Sequence, residues 1–348
     1  MSVDVAHAKS IRTCEPGTFV CTAILTLQSD IANQIPSSFS TVFSSNNRGK
    51  AFLLSRLNRS TSSFLPVEGS GWTYKEGGNG PDEWPGMCQV GARQSPVDLD
   101  PKTAVPGHFE SLVLLNYDRK TVGNVTNNGH TLMLTFEQPC EMVMAAGGLP
   151  AVYRLEQIHF HWRSEHTFQG KRCPLEMHMV HYDRQFKKLG DAVKFNQGLA
   201  VLAVLFYETK EPNTVLQPLL EFMPEVSQTE GIPYKLSQHV TLQNLLPDEL
   251  NYFYRYAGSL TTPNCDESVV WTVLAQLVPI GVQQVAQFHK VQSHHEPLTS
   301  NFRPIQTVNK RQIYLQQPSE RYQEISAASS VYESCFIVIV LSTFSITH

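Results

Sequence analysis

After Gly71, apolar and polar residues alternate in short runs that Gly, Pro and Asn clusters interrupt. These runs predict strands over Leu112–Tyr117, Leu132–Glu137, Ala151–Trp162, Leu175–Tyr182 and Ser268–Leu277, several of them with the two-residue alternation of a strand. Leu199–Tyr207 is different, because it is apolar at every position through Phe206. Such a run suits a central strand covered on both sides. Helical patterning is confined to Val215–Phe222 and Ile280–Val291. The pattern therefore predicts one mixed, β-dominated domain, assigned to residues 69–322.

Both flanks read differently. Residues 1–68 are rich in Ser, Asn and Thr and lack any sustained apolar period, which predicts low-complexity or processed sequence. Within them, Phe19–Leu27 is a weak candidate for a signal h-region. In the tail, 323–348, the small residues Ser326-Ala327-Ala328-Ser329-Ser330 precede an apolar Phe336–Leu341. Small residues, a spacer and a short apolar end match a glycosylphosphatidylinositol attachment signal. No apolar run reaches the roughly 18 residues a membrane-spanning helix needs. The formal net charge of −4 argues against a nucleic-acid partner. Seven cysteines are too few for a disulfide scaffold, and their odd number leaves one unpaired within the chain.

Histidine placement carries the chemistry. Five of the thirteen fall between positions 159 and 181, in Gln157-Ile158-His159-Phe160-His161-Trp162 and Glu176-Met177-His178-Met179-Val180-His181. If both segments are strands, Gln157, His159 and His161 share one face, as do Glu176, His178 and Val180. An antiparallel pairing would then bring His159, His161 and His178 around one small cation. Three neutral nitrogens with a fourth position open is the pattern of a catalytic zinc site. Gln157 and Glu176, two residues before a ligand on the same face, are placed to accept the ligands' second N–H.

These segments, with Arg93-Gln94-Ser95-Pro96-Val97-Asp98, Asn127-Asn128-Gly129-His130, Ser164-Glu165-His166-Thr167, Gly258-Ser259-Leu260-Thr261-Thr262-Pro263 and Asn301-Phe302-Arg303-Pro304, resemble the α-class carbonic anhydrases. The resemblance runs from Trp72 to about Ile313. It implies a large twisted, mostly antiparallel central sheet, peripheral helices and a conical active-site cavity. It also implies Zn²⁺ on His159, His161 and His178, whose bound hydroxide converts carbon dioxide to bicarbonate and a proton. Thr261, donating its own proton to Glu165, would orient that hydroxide. Val180, Val201, Leu260 and Trp271 would line the apolar substrate site, with Thr262 on its polar side. His130 would shuttle protons, since an imidazole with a pKa near 6.5 is matched to that task. Met133 stands where relatives often carry an amide near the proton path.

Secreted relatives join the positions of Cys88 and Cys265 by a disulfide, which implies an oxidising compartment. The Asn264-Cys265-Asp266-Glu267 stretch looks most like the lipid-anchored extracellular branch, so the expected location is the outer face of the plasma membrane, or secretion. The sequons at Asn58 and Asn124 agree with that. Cys14, Cys21, Cys140, Cys173 and Cys335 receive no partner from the sequence. A rival reading is a catalytically silent carbonic-anhydrase-like binding module, and a third is a zinc esterase using the same nucleophile. Retention of all three histidines with Glu165, Thr261 and His130 favours the CO₂-hydrating enzyme over the silent module.

Overall fold

Among the described residues, thirteen strands hydrogen-bond into one mixed sheet. Its centre is built from β1 (Gly123–Asn127), β2 (Leu132–Phe136), β3 (Tyr153–Trp162), β4 (Leu175–Asp183), β5 (Leu199–Thr209), β6 (Phe253–Gly258) and β7 (Val269–Leu274). These lie side by side in the order β1-β2-β3-β4-β5-β7-β6. Neighbours are antiparallel except β5 and β7, which run parallel. This computed structural model describes residues 71–138 and 140–318. The candidate signal region, the Asn58 sequon and the candidate anchor tail lie outside them.

The alternation predicted from the sequence sorts side chains onto two faces. On β3, Ile158, Phe160 and Trp162 enter one apolar cluster, as do Met177 and Met179 of β4. β5 is buried on both sides, as its unbroken apolar run requires. Ala200, Leu202, Val204 and Phe206 face that cluster, while Leu199, Val201, Ala203 and Leu205 face a second one. Each large aliphatic side chain so enclosed contributes about 1.5–3 kcal/mol.

Helices are short. The predicted Val215–Phe222 helix forms as separate turns, Thr214–Leu216, Gln217–Leu220 and Met223–Val226. Pro218 and Pro224 each remove an amide donor, which breaks a continuous ladder. The predicted Ile280–Val291 helix narrows to α1 (Val282–Phe288), because Val278–Gly281 (β8) pairs in parallel with β5 instead.

The loop that carries Thr261 leaves β6 at Gly258. A Cβ at Gly258 would stand 2.2 Å from Ser95 Oγ and 2.8 Å from Trp271 Cδ1, so only glycine permits this approach. Beyond it, Cys265 is joined to Cys88 by a disulfide across 177 residues of chain. Arg303 lies beneath, 1% exposed, donating from Nη1 to Gln94 Oε1 (2.8 Å) and Ser95 O (2.9 Å), and from Nη2 to Cys88 O (2.9 Å). The disulfide thus ties the far end of the loop to a segment that Arg303 holds from Cys88 to Ser95. By loop-closure entropy, the crosslink stabilises the fold by up to about 5 kcal/mol. Reduction of the disulfide, or Cys265→Ser, is expected to lower unfolding stability by about 2–5 kcal/mol in urea titrations. An unchanged midpoint would contradict that assignment of stability to the bond.

Candidate metal centre

Register brings the ligands together. Across β3 and β4, His178 pairs with His159 and Glu176 with His161. Because directly paired residues share a face, all three imidazoles project to the side opposite Ile158 and Phe160. Their ring centroids lie 5.0, 5.1 and 4.5 Å apart. One nitrogen from each lies within 4.8 Å of the other two.

The outward nitrogen of every ring is occupied. His159 Nδ1 lies 3.0 Å from Gln157 Oε1, and His178 Nε2 lies 2.7 Å from Glu176 Oε1. His161 Nδ1 lies 2.6 Å from the carbonyl of Asn301. Each acceptor demands that the outward nitrogen carry the proton, so the inward nitrogens, His159 Nε2, His161 Nε2 and His178 Nδ1, keep bare lone pairs. Two of these, on His159 and His178, stand only 3.3 Å apart. Two nitrogens each about 2.05 Å from a tetrahedral zinc would be separated by about 3.3 Å. The third, His161 Nε2, is buried without a hydrogen-bond partner among the described residues. An orphaned buried nitrogen is costly unless a cation completes it. The donor set fits zinc: three neutral imidazoles, held from behind, converging on one point.

Burial also bears on the charge of His159 and His161. It holds His159 well below the usual imidazole range, and the nearby rings of His161 and His178 push the same way. His161 is lowered chiefly by burial, against the opposing pull of Glu165. For Glu176, burial alone would raise the carboxyl. His166 and His178, through charge and hydrogen bonds, outweigh it and hold the carboxylate well below its usual range. Glu176 Oε1 serves both rings, lying 2.6 Å from His166 Nδ1 and 2.7 Å from His178 Nε2. The far nitrogen of His166 meets the Tyr256 hydroxyl at 2.7 Å. His166, Glu176 and His178 could also group around an ion. Their facing atoms are already spent on one another, which makes them a brace.

Residues 79–317 match the eukaryotic-type carbonic anhydrase family. The chain belongs to that family. It is 35% identical over 272 residues to carbonic anhydrase 15 of Mus musculus, covering 71% of this chain and 84% of that protein. It is 34% identical over 270 residues to carbonic anhydrase 4 of the same species, covering 71% and 85%. Carbonic anhydrase 4 of Oryctolagus cuniculus is 33% identical over 251 residues, covering 68% and 80%.

The other residues that the sequence assigned to the site stand in different settings. Val180, Val201 and Trp271 form a row across three strands, paired in register through β4, β5 and β7. Leu260 packs against the same apolar cluster, and Thr262 is half-buried. Trp271 meets the His178 ring edge-on at 4.9 Å. Glu165 is fully buried. Its Oε1 accepts from Arg303 N at 2.9 Å, while Oε2 lies 3.5 Å from His161 Nε2. The expected hydrogen bond from Thr261 to Glu165 is not made among the described residues. Glu165 Oε2 instead has no hydrogen-bond partner and faces the imidazoles.

His130 also departs from expectation. Its ring stacks on Trp72 with centroids 3.7 Å apart and planes 10° from parallel. Burial, aided by neighbouring His294, takes its pKa down to about 4, rather than leaving it near 6.5. Met133 pairs with His159 in the sheet. His181 stands beyond a register shift after Val180 and turns to the opposite core, against the Tyr117 hydroxyl. It takes no part in the triad.

Sequence reasoning missed Asn301, although its segment was visible as a motif. Besides the carbonyl on His161, Asn301 Oδ1 accepts from Trp162 N at 2.8 Å, and Nδ2 donates to Phe160 O at 2.9 Å and His130 O at 3.1 Å. One side chain thereby fixes the strand on either side of His161. Gln157→Ala and Glu176→Gln are each expected to weaken zinc binding about 10–100-fold, read by chelator competition. Because His159 and His161 remain neutral below the ordinary imidazole value, affinity should hold as pH falls through about 6.5 and drop only in more acid solution. Loss beginning above pH 7 would contradict the geometry.

Proposed function

We propose that the enzyme hydrates carbon dioxide reversibly at a zinc ion held by His159, His161 and His178. The observation that carries this reading is the convergence of three unprotonated inward nitrogens whose outward partners are all fixed. Zinc held by neutral ligands acidifies water and supplies a hydroxide nucleophile near neutral pH, carbonic anhydrases being the standard case. Gln157, Asn301 and Glu176 keep the rings from rotating, so little reorganisation accompanies the reaction. Carbon dioxide is apolar, and we assign Val180, Val201, Leu260 and Trp271 to its binding wall, with Thr262 at the polar margin.

Glu165 Oε2 keeps its lone pairs for a hydroxyl donor, and we assign Thr261 to it. A Thr261 hydroxyl committed as donor to that oxygen can only accept at its own, so it directs the attacking oxygen's lone pair towards carbon. His130 receives the proton that each turnover releases. With its pKa taken down to about 4 by burial, uptake of that proton is uphill, so His130 carries it only transiently.

The protein is assigned to the extracellular face of the plasma membrane through a lipid anchor. The Cys88–Cys265 bond supports an oxidising compartment, and the small-residue and apolar pattern of 326–341 supports the anchor. No helix among the described residues is long and apolar enough to cross a membrane. Asn124, half-exposed on β1, is the glycan acceptor in this reading.

In stopped-flow CO₂ hydration, Thr261→Ala is expected to lower kcat/KM on the order of 100-fold with zinc content retained. Full activity in that variant would remove Thr261 from its role. Zinc-loaded protein with no hydration activity would instead favour the silent binding module. Phosphatidylinositol-specific phospholipase C should release the protein from expressing cells. Retention on the cells would contradict the anchor.

A further inference from the structure

A second gathering of titratable side chains lies beside a cavity of about 270 Å³, whose walls include Tyr74, Lys75, His130, His294, Glu296 and Leu298. His294 belongs to a hairpin formed by β9 (Gln292–Ser293) and β10 (Glu296–Pro297). Its two loop residues, His294 and His295, have φ of 50° and 66°. Such turns ordinarily use Asn and Gly, because a side chain is strained there. Glu230 holds the strained turn. Its Oε1 accepts from the His294 backbone N–H, and its Oε2 lies 3.8 Å from His294 Nδ1. The hairpin thereby presents an imidazole, 64% exposed, next to a carboxylate.

That imidazole meets the ring of His130 edge-on, with centroids 6.4 Å apart. Both rings line the cavity, which exceeds the roughly 30 Å³ a water occupies, so water can stand against each of them. The two rings offer a proton different surroundings. On His130 it is stacked against Trp72 and poorly solvated. On His294 it has water on one side and a counter-ion on the other. Lys75 and Glu296 pair with each other at the cavity edge, and Tyr74 completes the titratable lining.

We propose that His294 is the outer proton station of this enzyme, taking through cavity water the proton that His130 collects and delivering it to buffer. This rests on the proton-transfer role assigned to His130. Only protons move. The N–H bond at His130 breaks as one forms at the cavity water, and the water's own proton passes to a His294 nitrogen. His294 then gives that proton to buffer, and no electrons are exchanged.

The test compares His294→Ala and His130→Ala by stopped flow in dilute buffer and with added imidazole. In parallel, the His130 ring is titrated by NMR in the metal-free protein. The proposal expects His294→Ala to lower kcat severalfold in dilute buffer, with a smaller fall in kcat/KM and recovery on adding imidazole. It also expects His130 to titrate at higher pH in that variant, because a like charge has been removed. If His130→Ala lowers kcat and His294→Ala does not, the outer station is wrong while the role of His130 stands. If neither variant slows turnover, both assignments fall. A His130 titration unmoved by His294→Ala likewise overturns the proposal.

Discussion

Three acceptors behind three imidazoles decide what this fold can do. A buried histidine is free to choose either tautomer until something fixes one, and here Gln157, Asn301 and Glu176 each fix it. The consequence is electrostatic. Three lone pairs are turned towards one another in a region where an uncompensated polar atom is costly. A divalent ion would remove that cost, so the three histidines form a group that could hold a metal. Anionic ligands would also bind, but they would cancel part of the charge that acidifies water.

The surrounding structure keeps those acceptors in place. Glu176 is locked between His166 and His178, and His166 is locked in turn by Tyr256. Asn301 is clamped to the β3 backbone on either side of His161. Two residues on, the backbone of Arg303 holds Glu165 while its guanidinium reaches the chain around Cys88. The disulfide then returns to the loop bearing Thr261. The three histidines, Glu165, the loop bearing Thr261 and the crosslink are consequently one connected framework. Disturbing the segment 301–303 should reach every part of it.

Much of this was legible in the sequence because the relevant signals are local. Strand alternation depends on a period of two, and it places His159 with His161 on one face of their strand and His178 with Glu176 on one face of the next, which the pairing then joins. The unbroken run of β5 announced burial on both sides for the same reason. What escaped depends on distant chain segments meeting. Asn301 meets His161 through its carbonyl, a group every residue possesses, so no residue type could flag it. The stacking of His130 on Trp72 likewise has no local pattern, and it changes the expected pKa of that ring. The helix breaks at Pro218 and Pro224 were visible in principle, yet apolar patterning outweighed them.

The most direct measurement is anomalous diffraction at the zinc edge from crystals of the zinc-loaded protein. The account predicts a single strong peak about 2.0–2.1 Å from His159 Nε2, His161 Nε2 and His178 Nδ1, with solvent at the fourth corner. Absence of the peak with zinc in excess, or a protein atom occupying that fourth corner, would contradict it.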